Sequence, residues 1–231
     1  MVNAVRSSAL LDQKLQMYKL NTSLADVSYE VGRTRAFPPG WLENESIWLH
    51  MEYKYLLSLL ECGMYEQFFN DFTATVIPFL APEMYKRSTL ENSSFLLSSV
   101  NNDEESHGRG YVSRLSGSTA EFVSIWNQML FGKAPFGCDD SGLYLRFCPA
   151  IPRNLLCCGR SLKGTLLGTI EVEYHTGDLA ELKPGEYRIV GYRLCDGSDS
   201  VQISGEIIPQ EWALRIRSGA VPHIDVYFEK G

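Results

Sequence analysis

Residues 47–78 read IWLHMEYKYLLSLLECGMYEQFFNDFTATVIP, and this stretch decides how the first half of the chain folds. Ile47, Trp48, Met51, Tyr55, Leu56 and Leu59 recur with a 3.6-residue period. That spacing predicts a helix over Ile47 to Cys62 with one apolar face, stopped by Gly63. Met64 to Ile77 repeats the pattern, with Tyr65, Phe68, Phe69, Phe72 and Val76 on one face and Pro78 at its end. So short a link makes the two helices an antiparallel pair.

Working outward, Leu10, Leu11, Leu15 and Tyr18 have helical spacing, so Ser7 to Lys19 is predicted as a helix. Gly32 to Gly40 is a loop broken by Pro38-Pro39. Leu80 to Arg114 is polar and loop-rich, and a loop of that length is functional or disordered. A third helix is expected over Thr119 to Phe131, with Ser118 and Glu121 spaced as a capping box and Gly132 as its stop. From Leu143 the period becomes two. Leu143 to Phe147, Leu166 to Tyr174, Tyr187 to Leu194, Val201 to Ile208 and Ile224 to Phe228 are strand candidates, and Asp196-Gly197 is a hairpin signal. The fold class is α+β: a helical part over 1–135, then a small antiparallel β sandwich or sheet over 136–231. The helices carry aromatic faces on several sides, as a slice of a larger helical assembly would.

Composition sets the outer limits. Among the 231 residues 45% are apolar and 21% charged, which excludes a disordered or collagen-like chain. Asp and Glu outnumber Lys and Arg by 28 to 21, a net charge of −7 that disfavours nucleic acid as a partner. No apolar run reaches the roughly 20 residues of a membrane span. Met1 to Leu15, interrupted by Arg6, Asp12 and Lys14, is not expected to be a signal peptide. Cys62, Cys138, Cys148, Cys157, Cys158 and Cys195 have neither metal-ligand nor disulfide-framework spacing. They are expected to be free, mostly buried thiols in a reducing, cytoplasmic compartment.

The residues that suggest chemistry cluster in a few places. Ser116, Gly117, Ser118 and Thr119 precede the third helix, where unpaired N–H groups and a glycine make a phosphate cradle or, more plainly, a capped helix end. His50 lies in the first predicted helix pair, as a ligand or a structural residue. His107 and Arg109, in the polar loop, face an anion or water. Glu43, Glu45 and Glu91 are acceptors for sugar hydroxyls or solvated charges. Trp41, Trp48 and Tyr111 are aromatic surfaces for a sugar ring, although Trp48 falls on the apolar stripe.

These residues carry a resemblance. Glu43-Asn44 followed by Trp48 and His50 is similar to the Glu-Asn…aromatic-x-His stretch of cellobiose phosphorylase-like inverting glycoside phosphorylases. Gly108-Arg-Gly110 followed by Ser116-Gly-Ser118 resembles their Gly-Arg-Gly…Thr-Gly-Ser loop. Gly40 to Asn44, Leu90 to Ser94 and Arg114 to Glu121 look closer still to β-1,3-oligoglucan phosphorylase-like relatives, and Pro149 to Pro152 resembles the entry to their C-terminal β domain.

The resemblance implies a C-terminal part of a larger enzyme. Residues 1–135 would be the last helices of an (α/α)6 toroid and 136–231 the C-terminal β domain. The implied reaction is reversible cleavage of a β-glucosidic bond by inorganic phosphate, giving an α-sugar 1-phosphate. Carried over by position, His50, Ser116 and Gly117 match phosphate-binding residues, Ser116 replacing the usual Thr. Glu91 falls in the sugar region, and Glu43 and Asn44 shape the site around His50. No residue matches the general-acid Asp, which belongs to an upstream segment, so the chain alone is expected to be inactive. Inorganic phosphate is substrate; no cofactor or metal is implied. The expected partners are a β-glucan oligosaccharide or disaccharide, the upstream part of the toroid and a second copy in a homodimer. The alternatives are a non-catalytic carbohydrate-binding or scaffolding module, or a truncated product without activity.

Overall fold

A computed structural model describes residues 2–112, 116–156, 161–197 and 199–231, leaving aside the side chain of Ser116. The chain is mixed helix and sheet and divides into two units, Met1–Ile125 and Trp126–Gly231.

The first unit departs at once from the helical spacing of its opening residues. After a short helix α1 (Val2–Arg6), strands β1 (Leu11–Asp12) and β2 (Met17–Tyr18) form an antiparallel hairpin where Ser7 to Lys19 was expected to be helical. Asp12 explains the difference. Its carboxylate accepts the N–H groups of Lys14 and Leu15, each at 3.1 Å, and closes a turn that a helix cannot contain. The same carboxylate accepts Ser99 N–H at 2.6 Å and Ser99 Oγ–H at 2.7 Å, bonds to a residue 87 positions away that no local pattern foretells.

The antiparallel helix pair is present, with its first helix shortened. Ile47 and Trp48 form strand β3 (Ile47–Trp48), helix α2 runs Leu49–Glu61, and α3 runs Tyr65–Thr75. α2 packs on α3, and Tyr53, Leu56 and Leu59 of α2 and Phe68 and Phe72 of α3 are buried. Gly63, at φ +69°, takes the left-handed conformation that ends α2. Within this core lie two carboxylates. Glu52, only 2% exposed, accepts Tyr18 N–H at 3.0 Å and the Thr75 hydroxyl at 3.3 Å. Asp71 accepts Arg6 at 2.5 Å, Gln67 at 3.0 Å and the Tyr18 hydroxyl at 3.2 Å.

Leu80 to Arg114 is not a bare loop. It contains a four-residue helix α4 (Pro82–Tyr85) and strands β4 (Phe95–Leu96) and β5 (Gly110–Tyr111), which join β3 in a small antiparallel sheet of order β3-β4-β5. Two-residue strands are too short for alternation to reveal. Helix α5 (Ser116–Phe131) begins before Ser118. Ser118 is therefore an interior, buried residue and not the cap of a capping box.

The second unit is built on a five-stranded sheet. Strands β6 (Phe136–Asp139) and β7 (Gly142–Leu145) form a hairpin of their own. The main sheet comprises β8 (Leu162–Leu166), β9 (Ile170–His175), β10 (Tyr187–Asp196) and β11 (Asp199–Ser204). Helix α6 (Gln210–Arg217) follows, and β12 (His223–Lys230) completes the sheet. The strand order is β11-β10-β12-β9-β8. β12 runs parallel to β9, so the sheet is mixed and not antiparallel throughout. The continuous strand expected over Leu166 to Tyr174 is interrupted by a turn at Leu167–Thr169, with Leu167 at φ +52° and Gly168 at φ +77°. β10 and β11 pair with Asp196 opposite Asp199, as the Asp-Gly signal predicts. One face of the sheet buries Val172, Tyr174, Tyr192, Leu194, Ile224 and Val226.

Cys62, Cys138 and Cys148 are free and exposed, and Cys195 is free and half-buried, so these thiols are not the buried ones expected. Cys157 and Cys158 lie outside the described residues.

Candidate functional site

The two motifs that carry the resemblance meet in the first unit. His50 stands in the first turn of α2, and its imidazole lies on Gly117 in the first turn of α5. A Cβ built on Gly117 would sit 2.7 Å from Nδ1, 2.8 Å from Cε1 and 3.0 Å from Cγ of that ring. Glycine is required here by contact: any side chain would push the ring away. Two turns of helix thus start together, since Tyr53 of α2 also meets Phe122 of α5 with ring centroids 6.0 Å apart.

Glu121, four residues on from Gly117 and so on the same helix face, places Oε1 3.6 Å from His50 Nε2. The carboxylate is beyond hydrogen-bond distance but near enough to orient a protonated ring electrostatically. The sequence spacing assigns Glu121 to a capping box; its place beside His50 comes from the docking of α2 on α5. The side chain of Ser116 lies outside the described residues. At this point on α5 the helix offers first-turn N–H groups and the positive end of its dipole to any anion that approaches.

The other candidate residues are placed differently. Glu43 pairs with Arg33 at 2.5 Å, and its Oε2 is buried with no hydrogen-bond partner. Asn44 is buried and donates Nδ2–H to Phe37 O at 2.7 Å, tying the turn that precedes β3. Glu45 is buried too, in an ion pair with Lys19 at 2.8 Å. Glu91 is exposed and pairs with Arg87 at 3.5 Å. His107 is buried: Nδ1 accepts Lys14 Nζ–H at 2.9 Å, which leaves Nε2–H to donate to Asn101 O at 2.7 Å. Both ring nitrogens therefore have protein partners. Arg109 is exposed, with its guanidinium 5.2 Å from the Tyr111 ring centroid.

The second unit holds a separate cluster on the open face of its sheet. Donor atoms of Glu171, Glu173 and His223, and of Glu173, His175 and Asp225, lie within metal-ligating reach of one another. Cations of the protein already occupy this cluster: Lys163 lies 2.9 Å from Glu171 and 3.1 Å from Glu173, and Arg193 lies 2.8 Å from Asp225. Burial works to raise the Asp225 pKa, but hydrogen bonds from His175, Arg193 and His223 outweigh it and hold the carboxyl below its ordinary range. A network of ion pairs and hydrogen bonds of this kind fastens strands together.

No protein-family model and no curated protein matches the chain.

Proposed function

We propose that the chain is the C-terminal part of an inverting glycoside phosphorylase acting on β-linked glucans, and that it contributes half of the phosphate site. In this reading residues 1–135 are the last helices of an (α/α)6 toroid and 136–231 its C-terminal β domain. The observation that supports it best is the imidazole of His50 seated on Gly117. Two motifs far apart in sequence, each similar to a phosphate-binding motif of that family, come together at one helix end.

The chemistry asked of these residues is modest. Phosphate arrives already charged, so no protein base is needed to activate it. It must be held against the anomeric carbon on the face opposite the departing oxygen. His50 and the first-turn N–H groups of α5 donate to its oxygens, and Ser116 adds a hydroxyl. Glu121 holds the His50 ring in orientation. The general acid that protonates the leaving oxygen comes from a part of the enzyme these residues do not match. Glu43, Asn44 and Glu91 border the sugar.

Phosphate titration of the full chain, followed through the histidine ring resonances, tests this. His50 should shift in a saturable manner at millimolar phosphate while His175 and His223 stay in place, and His50→Gln should abolish the response. A His50 resonance indifferent to phosphate would overturn the reading.

A further inference from the structure

The β3-β4-β5 sheet carries a ladder of rings, with the central one, Phe95, buried. Trp48, Phe95 and Tyr111 are register partners on adjacent strands. Trp48 stacks on Phe95 with centroids 5.7 Å apart, and Phe95 on Tyr111 at 5.5 Å. Trp41 meets this ladder edge-on, 5.2 Å from Phe95 and 4.5 Å from Tyr111, a favourable aromatic geometry. Beside Trp41 opens a pocket of about 270 Å³, walled by Phe37, Pro38, Trp41, Leu97 and Tyr111, with Asn101 and Asp103 on its polar side.

The pocket is held in shape before any ligand arrives. Asn101 Oδ1 accepts Asp103 N–H at 3.0 Å, and Asn101 Nδ2–H donates to Pro39 O at 2.7 Å, which joins its two bordering loops. His107 secures the Asn101 carbonyl from behind. Two charged groups are left over. Among the described residues neither the Asp103 carboxylate nor the Arg109 guanidinium over Tyr111 has an ion-pair partner.

We propose that this pocket binds a glucosyl unit of a β-linked oligosaccharide, apart from the phosphate contacts at His50 and Gly117; the identity of the sugar rests on the phosphorylase reading. The charge pattern narrows the ligand. Asp103 on the pocket wall opposes an anion, and Arg109, which does not line the pocket but lies over its wall residue Tyr111, opposes a cation. A purely apolar ligand would strip water from both without replacing it. A neutral ring of hydroxyls satisfies each, since one hydroxyl donates to the carboxylate while another accepts from the guanidinium. The aromatic wall completes the match. A β-glucopyranose carries all its hydroxyls equatorially, so both ring faces present C–H groups that lie flat on Trp41 or Tyr111. β3 and β5, whose rings line or back the pocket, are followed directly by His50 and by the segment leading to Ser116.

The experiment titrates laminaritriose or cellotriose into the full chain, reading indole resonances, with phosphate titrated separately against the His50 ring. The trisaccharide should shift the Trp41 indole. Asp103→Asn, an exposed replacement that removes no packing, should weaken sugar binding about tenfold, the worth of one hydrogen bond to a charged group. It should leave the phosphate response of His50 unchanged. Arg109→Gln should also weaken the sugar. Sugar affinity untouched by both substitutions would overturn the assignment, as would no sugar binding in a chain whose His50 still answers to phosphate. Sugar binding sensitive to Asp103, in a chain whose His50 ignores phosphate, would instead refute the phosphorylase reading and keep the pocket.

Discussion

Replacing Glu52 with glutamine should remove a pH dependence of stability that the wild-type chain carries through the neutral range. Glu52 is 2% exposed. Burial, chiefly, and the nearby Asp71 charge push its pKa up from 4.5 to about 8, against the lowering effect of the Tyr18 N–H and the Thr75 hydroxyl. The folded chain thus holds the proton more tightly than the unfolded one. Stability contributed by the neutral acid is full below pH 4.5, falls as pH rises, and levels off above pH 8. Each pH unit in that window is worth about 1.4 kcal/mol. The loss is therefore about 3 kcal/mol by pH 7 and about 5 kcal/mol at its plateau. Glutamine keeps an oxygen for Tyr18 N–H and turns its amide N–H toward Thr75 Oγ, the arrangement of the protonated acid. Urea unfolding followed by tryptophan fluorescence at pH 5, 6, 7 and 8 measures the difference. The two proteins should be nearly equal at pH 5 and diverge in favour of Glu52→Gln with rising pH. Parallel profiles across that range would refute the argument, because every other titrating group is common to both.

Four further outcomes follow from the geometry. Gly117→Ala should lower stability by about 1 kcal/mol, since the added methyl meets the His50 ring at 2.7 Å, and should displace the His50 ring resonance and blunt its response to phosphate. Lys19→Met should cost about 3–5 kcal/mol by leaving Glu45 charged and buried, and adding Glu45→Gln should recover much of it, as a double-mutant cycle in urea will report. Asp12→Ala should cost about 1–3 kcal/mol by freeing the half-buried donors of Leu15 and Ser99, seen as a lowered midpoint of thermal unfolding. Leu167→Gly, at an exposed position with φ +52°, should raise stability by up to about 1 kcal/mol by relieving left-handed strain.

What could be read in advance follows the range of the interactions concerned. The α2–α3 pair announced itself because its core face is written in one continuous period. The β1–β2 hairpin did not, because Asp12 is held by Ser99 and the apolar spacing around it is coincidental. β4 and β5 stayed hidden in a polar stretch, being two residues each, with β4 positioned by β3 and β5 by β4. α6 offers only Ala213 and Ile216 to the core, too few for a period to show. The meeting of His50 with Gly117 was expected only from the likeness of the two motifs to one site. Glu121 was visible as a charge but not as the neighbour of that ring, a relation that depends on how α2 and α5 dock.

The place of β12 in the sheet has a consequence for how the protein is made. It follows all of its sheet neighbours in the chain, yet it lies at the centre, between β10 and β9. A nascent chain that has released β8 to β11 possesses two separate hairpins, each with an unsatisfied edge and nothing to join them. The second unit therefore closes only once residues 223–230 have left the ribosome, and it does so through pairings about fifty residues apart, which slow assembly. During that interval the exposed edges of β9 and β10 invite strands from other chains, so yield in the cell should depend on chaperone supply and growth temperature more than the finished fold would suggest.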